Sequence, residues 1–431
     1  MRLKKVTVHN YKSLRYVTFC PTPLTAIVGP NGSGKTNFSD AVDFLSDVYT
    51  HGLELAVVRK GGFENIAFRK MRRTKSAMEF EVTLELQGSE LRRVMVSRGL
   101  ASLASSTFRL VHRFAIRTSG AAIRADFKVL NEEFLVSIHT DGNVASGGFR
   151  EIVRVSAGSD RKLDFQTFEK SAVTHEILRY TRAYSDAFED QSSIAPQELF
   201  VVALPLRNAF FTAFVSAISR FEVYQISPRL SRTSGVPTPN PKLSRAGENL
   251  PALVDWIKRR HPAEWDVVMN GMRDVLPGLL DISVDYLHNK TLGLFFHEEG
   301  TGRPWAIEDV SDGTVQTLAL LVATVDPRTT LLLIEEPENS VHPWIIRVIV
   351  ERLQQMSEKK DVIVTSHSPV LVNLINPHEL WVTSRSRGET HMQRLVDLEP
   401  GIVDNWEGGK FRLSEFLDAG FVPQAVPGGA E

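Results

Sequence analysis

Leu24-Thr25-Ala26-Ile27-Val28 runs directly into Gly29-Pro30-Asn31-Gly32-Ser33-Gly34-Lys35-Thr36-Asn37, and this stretch decides the fold. The first five residues form a short, mostly apolar run that ends in glycine, the pattern of a buried strand. After the loop, Phe38, Ala41, Val42, Leu45, Val48 and Tyr49 recur at helical spacing, so an amphipathic helix follows. Glycines let the backbone curl until its N–H groups converge, and the positive end of the helix adds to them, which makes a seat for phosphate. In this spacing Lys35 is expected to reach the β and γ phosphates and the Thr36 hydroxyl to ligate Mg²⁺. The candidate nucleotide-binding residues are therefore Asn31, Gly32, Ser33, Gly34, Lys35, Thr36 and Asn37.

Three later motifs read with it. Leu331-Leu332-Leu333-Ile334-Glu335-Glu336-Pro337 is a continuous apolar run with two acids at its end. Such a run suits a central parallel strand buried on both faces. Carboxylates past its C-terminal end sit where α/β sheets bind ligands. Val362-Ile363-Val364-Thr365-Ser366-His367 likewise delivers a histidine at a strand end. Glu308-Asp309-Val310-Ser311-Asp312-Gly313-Thr314 precedes an apolar helix that Ser311 can cap, with Thr314 and the backbone N–H groups facing an anion.

Composition bounds the class. The chain has 431 residues, 42% hydrophobic and 23% charged, an ordinary globular balance rather than a disordered one. No apolar run approaches a membrane span, and the start, MRLKKVTVHNYKS, lacks the apolar core of a secretory signal. The single cysteine, Cys20, excludes an internal disulfide and a Cys-rich metal site. A cytoplasmic protein without membrane contact is expected. Net charge is −1, but Arg59 to Arg124 holds 14 Lys/Arg against 5 Asp/Glu. Such asymmetry marks a surface that meets a polyanion.

From Met78 to Ile138 the period changes to two. Met78, Phe80, Val82, Leu84 and Leu86 alternate with Glu79, Glu81, Thr83 and Glu85, and Phe108, Leu110, Phe114 and Ile116 with Arg109, Arg113 and Arg117. These are half-buried antiparallel strands with one wet face. Residues 160–220 read as helical and irregular. Residues 228–246, rich in Pro, Ser, Thr, Arg and Gly, read as a mobile loop. The resulting division is a first lobe at 1–155, a helical insertion at 156–220 and a second lobe at 221–431.

Together the motifs resemble the nucleotide-binding heads of ABC-type ATPases in the SMC, RecF and OLD-like branch. Asn10-Tyr11-Lys12-Ser13-Leu14-Arg15 and the glycine loop look like its opening. Ser311-Asp312-Gly313-Thr314 is similar to its signature motif, with Asp and Thr in place of Gly and Gln. Glu335-Glu336-Pro337-Glu338-Asn339 with Ser340, His342 and Pro343 looks like its Walker B and D-loop, and Leu413–Gly420 like the tails of compact bacterial members. The resemblance implies an α/β P-loop ABC-type head with an antiparallel β-subdomain in the first lobe. It implies ATP and Mg²⁺ as cofactors, Glu336 as general base, and Thr36 and Glu335 on the metal. His367 would sense the γ-phosphate, with Asn339, Ser340 and His342 in the D-loop. Ser311, Asp312, Gly313 and Thr314 would complete the site of a second subunit, so ATP hydrolysis would depend on a homodimer or a larger assembly. The metal position usually carries Asp, and Glu335 is longer. Asn65 stands nearest to the place of the Q-loop glutamine. SMC-type arms and a fused Toprim nuclease are not expected.

Two partner classes follow. Arg69, Lys70, Arg72, Arg73 and Lys75 form a basic cluster that, with the strand arginines, is the candidate contact to DNA backbone in repair or antiphage defence. The alternative is an ATP-controlled switch that holds and releases a separate effector, such as a nuclease or toxin, without binding DNA.

Overall fold

The structure is a computed structural model and describes residues 1–68, 76–91, 105–118, 126–139, 148–168, 194–204, 209–409 and 412–418. The chain forms two compact units, neither continuous in sequence. One comprises Met1–Pro21, Thr36–Phe221 and Arg385–Met392; the other Thr22–Lys35, Glu222–Ser384 and Gln393–Glu431. One crossing between the units falls between Phe221 and Glu222. The strand and glycine loop at 24–35, however, belong with the second unit, because that strand is bonded into the second unit's sheet.

The first unit is built on seven antiparallel strands: β1 (Arg2–Tyr11), β2 (Leu14–Phe19), β4 (Met78–Gln87), β5 (Thr107–Thr118), β6 (Phe127–His139), β7 (Arg150–Ala157) and β8 (Leu163–Thr167). Their order is β2-β1-β4-β5-β6-β7-β8. The period of two does what it predicts. Phe80, Val82, Leu84, Phe108, Leu110 and Phe114 are buried. Onto them helix α1 (Lys35–His51) lays Phe38, Phe44, Leu45 and Val48, with the Phe44 ring 5.4 Å from Phe80.

On the wet face, charges pair across strands. Lys5 bonds Glu81 at 2.8 Å, Arg113 bonds Glu81 at 2.6 Å and Glu133 at 2.7 Å, and Arg154 bonds Glu133 at 3.2 Å. Arg109 bonds Glu85 at 2.7 Å. Glu81, Arg113 and Glu133 stand directly opposite one another in the strand register, where opposite charges stabilise a sheet. The face expected to offer arginines to a polyanion is thus a ladder of internal ion pairs. The basic cluster at 69–75 lies outside the described residues.

The stretch read as a helical insertion is corrected in part. Leu163–Thr167 is a strand that extends the sheet, whereas Phe200–Ala203 (α2) and Ala209–Ile218 (α3) are helical. Residues 169–193 lie outside the described residues. The alternation of β5 also conceals a polar residue on the inward face. His112 is fully buried, accepts or donates at 2.5 Å to the Tyr49 hydroxyl, and contacts Glu132 at 3.1 Å. Glu132 in turn accepts from Arg161 and from the N–H groups of Phe200 and Val201. This knot ties α1, β5 and β6 to the start of α2, and it gives the buried His112 and Glu132 the partners that buried polar groups require.

The second unit is α/β. Strands β3 (Leu24–Val28), β9 (Phe221–Tyr224), β13 (Leu331–Glu335), β14 (Asp361–Ser366) and β15 (Leu380–Ser386) take the order β15-β3-β14-β13-β9. β15, β3, β14 and β13 pair in parallel. Their apolar runs are buried on both faces. Helices α4 (Leu250–Arg260), α5 (Pro262–Val275), α6 (Asp312–Val325) and α7 (Pro343–Ser357) pack with this sheet into one core that includes Ala26, Leu332, Val364, Leu318 and Ile349. A second, three-stranded antiparallel sheet comprises β10 (Leu279–Tyr286), β11 (Leu292–Glu298) and β12 (Trp305–Ala306). Among the described residues no helix is long and apolar enough to cross a membrane.

Residues 228–246, expected as a mobile loop, are pinned at several points. Gly235 exchanges both backbone bonds with Leu292, Gln225 N–H donates to the Arg245 carbonyl at 2.8 Å, and Ser227 N–H to that of Ala246 at 2.9 Å. The polar composition misleads because its arginines are spent on internal partners: Arg232 donates to the carbonyls of Ile307 and Val310 and to Asp312.

Candidate nucleotide site

The glycine loop follows β3, the strand between β14 and β15 in the sheet. It is closed by a turn, Ser33 N–H to the Pro30 carbonyl at 3.2 Å. Gly32 and Gly34 take φ of 80° and 112°. Gly29 is needed for a different reason: a Cβ there would lie 2.2 Å from the Thr383 carbonyl oxygen. Thr383 hydrogen-bonds Ser33 Oγ at 2.8 Å and donates to the Val28 carbonyl at 3.0 Å, tying β15 to the loop. Lys35 Nζ turns back into the ring, 2.6 Å from the Gly29 carbonyl and 3.3 Å from that of Pro30. Burial pushes its pKa below the ordinary lysine value, opposed by the charges of Glu336, Glu338 and Glu335. The glycine loop and the acidic motif, 300 residues apart, therefore share one electrostatic site, at the C-terminal ends of parallel strands.

Thr36 and Asn37 continue onto the first turns of α1, in the first unit. Asn37 Nδ2 donates to Ser13 Oγ at 2.6 Å, and Ser13 Oγ bonds Thr390 Oγ1 at 2.7 Å. One turn on, Asp40 accepts from the Tyr11 hydroxyl at 2.6 Å, from Lys60 at 2.7 Å and from Lys12. The Asn10–Arg15 motif is thus absorbed as the brace of the helix that follows the loop. Asn65, the stand-in for the Q-loop glutamine, donates to the Gly61 carbonyl of its own turn at 2.7 Å.

The acidic cluster is constrained at each residue. Glu335 ends β13 and is 3% exposed. It accepts from Arg245 Nη2 at 2.5 Å. Glu336 has a positive φ of 48°, unusual for a non-glycine residue and a form of strain that collects at functional sites. Its N–H bonds the Thr365 carbonyl at 2.8 Å. Its carboxylate accepts from Asn339 Nδ2 at 3.0 Å and stands 3.4 Å from His367 Nδ1. Glu338, part of the Walker B- and D-loop-like stretch, holds the histidine strand end. Its Oε1 accepts from Ser366 Oγ at 2.5 Å and from the N–H groups of His367 at 3.1 Å and Ser368 at 3.2 Å. Its Oε2 is buried and has no hydrogen-bond partner. The signal that could have found it is the acid three residues past the strand: only a long acceptor there reaches a neighbouring strand's end.

Ser311 caps α6 as expected, accepting from Thr314 N–H at 3.2 Å, with the two hydroxyls 2.8 Å apart. Asp312 pairs with Arg232 at 2.6 Å. Gly313 is dictated by closeness: a Cβ would lie 3.0 Å from the Ser340 carbonyl oxygen, so this motif and the D-loop touch within the unit. Ser340 has φ of 65°, and His342 caps α7, its Nδ1 accepting from Trp344 N–H.

The donor set fits Mg²⁺ with a nucleoside triphosphate. Hard carboxylate oxygens suit Mg²⁺. Three acids gathered near one buried lysine call for further positive charge, and Glu338 Oε2 is a buried acceptor still to be satisfied.

Residues 24–373 match the family described as AAA domain, putative AbiEii toxin, Type IV TA system. A segment of 61 residues is 39% identical to structural maintenance of chromosomes protein 1 of Saccharomyces cerevisiae, over 14% of this chain and 5% of that protein. A segment of 106 residues is 34% identical to an OLD nuclease of Thermus scotoductus, over 19% of this chain and 20% of that protein. Both matches span only a small part of those relatives. Among solved structures, an Smc head bound to the C-winged helix domain of ScpA is 13% identical, with a TM-score of 0.48 over 91% of this chain and 98% of that one. An Smc head with an extended coiled coil, bound to the C-terminal domain of ScpA from Pyrococcus furiosus, is 12% identical with a TM-score of 0.48, over 95% of this chain and 100% of that one. With residues 24–373 of its 431 matched, the chain belongs to this AAA-domain family.

Proposed function

We propose that the protein hydrolyses ATP, that two copies close around two nucleotides, and that hydrolysis drives their conformational change. The observation that carries this reading is Glu336, strained in backbone and held between Asn339 and His367 beside the Lys35 loop. The glycine loop with Lys35 and Thr36 would bind the triphosphate, and Thr36 with Glu335 would hold Mg²⁺. The metal supplies charge neutralisation on the phosphate oxygens. Glu336 takes the proton of the attacking water, Asn339 fixes which carboxylate oxygen faces it, and His367 stands where it reads the γ-phosphate. Ser311 and the N–H groups at the start of α6 would complete the site of the second copy.

The test is Glu336→Gln. It should keep ATP affinity within about twofold and slow turnover about 10²–10⁴-fold, the usual contribution of a positioned base. The trapped variant should accumulate as an ATP-dependent dimer in light scattering. Turnover near the wild-type rate removes Glu336 from the base position.

Action on DNA in repair or antiphage defence, the reading drawn from the basic stretch, rests on Arg69–Lys75. The paired arginines of β5 favour the second reading, control of a separately encoded nuclease or toxin, since Arg109 and Arg113 already serve Glu85, Glu81 and Glu133. Salt-sensitive DNA binding lost on changing Arg69, Arg72 and Arg73 to Glu selects the first. A stable DNA-free complex with another protein selects the second.

A further inference from the structure

The Arg245–Glu335 pair stands apart from the rest of the site. Glu335 is the acid expected on the metal, yet its Oε1 accepts from a guanidinium 90 residues away in sequence, at 2.5 Å. The carboxylate is 3% exposed and the arginine side chain 31%. A buried carboxylate requires a countercharge, and Arg245 supplies it. The arginine is not a loose surface side chain. Its backbone carbonyl accepts from Gln225, and the carbonyl of the next residue accepts from Ser227, just past β9 at the edge of the same sheet. A divalent cation on Glu335 supplies the same countercharge more strongly. A guanidinium and a dication on one carboxylate repel each other, so they compete.

We infer that Arg245 is a placeholder for the metal. It neutralises Glu335 when the site lacks Mg²⁺, keeps the acid in its strand-end rotamer, and yields the carboxylate when Mg²⁺ arrives with the nucleotide. Arg245 is a positioning residue, acting through Glu335 and touching no substrate. The inference rests on the proposed ATP reading, which sets Glu335 on the metal. It explains how a glutamate, longer than the usual aspartate, stays ordered in an apolar strand end before loading.

The experiment measures binding of a fluorescent ATP analogue, the N-methylanthraniloyl derivative, to the full chain as Mg²⁺ is titrated from an EDTA baseline. Arg245→Ala and Arg245→Gln should lower the Mg²⁺ concentration giving half of the metal-dependent affinity gain by about five- to tenfold, the scale of one partly exposed charge-assisted bond. Metal-free affinity should change less than about twofold, and Arg245→Lys should stay near wild type. A Mg²⁺ midpoint unchanged or raised in both neutral variants overturns the inference. If one neutral variant does not fold, the other decides. Wild-type protein that binds the analogue at no Mg²⁺ concentration overturns the ATP reading itself and takes this inference with it; binding that is intact with an unmoved midpoint overturns the inference alone.

Discussion

Glu338 permits a quantitative test of how the histidine strand end is held. One carboxylate oxygen accepts from the Ser366 hydroxyl and the backbone N–H groups of His367 and Ser368. Hydrogen bonds to a charged acceptor contribute about 1.5–3 kcal/mol each. They share one atom and are not additive, and the Ser368 N–H has a second acceptor, Ser366 Oγ, at 2.9 Å. Glu338→Ala should therefore destabilise the protein by about 2 kcal/mol, mostly from the stranded His367 amide and Ser366 hydroxyl. Glu338→Gln separates geometry from charge. It keeps the accepting oxygen and puts an amide nitrogen where Oε2 lacks a partner, so it should cost about 1 kcal/mol. The assay is urea unfolding of both variants beside wild type, with single-turnover hydrolysis on the same samples. Hydrolysis in Glu338→Ala should fall at least about tenfold, because His367 loses its backbone anchor. Loss of stability below about 0.5 kcal/mol in Glu338→Ala, or equal losses in the two variants, refutes the argument that accepted bonds from the strand end are what Glu338 contributes.

Lys35→Ala should abolish measurable ATP binding in calorimetry, since its ammonium is the principal side-chain charge for the β and γ phosphates; unchanged affinity removes that role. Ser311→Arg should leave nucleotide binding intact and block the ATP-driven dimer, and a dimer that persists in light scattering sinks the two-copy arrangement. Asp40→Asn tests the brace of α1. Burial works to raise the Asp40 pKa, but hydrogen bonds from Lys12, Lys60 and Tyr11 outweigh it and bring the value from 3.8 down to about 2. A lowered carboxylate pKa adds stability that is complete well above 3.8 and is lost as pH falls through about 2. The wild type should thus exceed the variant by about 2 kcal/mol at pH 7 and by about half of that at pH 3. An equal difference at both pH values in urea titrations speaks against the charged brace.

Local pattern carried much of this protein. The run Leu24–Val28, the glycine loop and the helical spacing from Phe38 to Tyr49 were legible because each depends on neighbours in sequence: an apolar strand, a backbone that must curl, and one buried helix stripe. The Ser311 cap and the alternation of β4 and β5 were legible for the same reason. The strand ends at Glu335 and Ser366 were also visible, since a parallel strand buried on both faces must be apolar until it stops.

Tertiary structure alone decided which charges meet. Composition marked Arg109 and Arg113 as exposed cations, but strand register set them opposite glutamates. The polar run at 228–246 read as mobile, but its arginines found Asp312 and Glu335, 80 and 90 residues away. His112 was hidden in an apolar phase because its partners, Tyr49 and Glu132, come from a helix and another strand. Hydrophobic periodicity is written within an element, so sequence reports it. An ion pair or buried hydrogen bond is a property of two elements, and only the packing that brings them within about 3 Å determines whether a charge faces water, a partner strand or a metal.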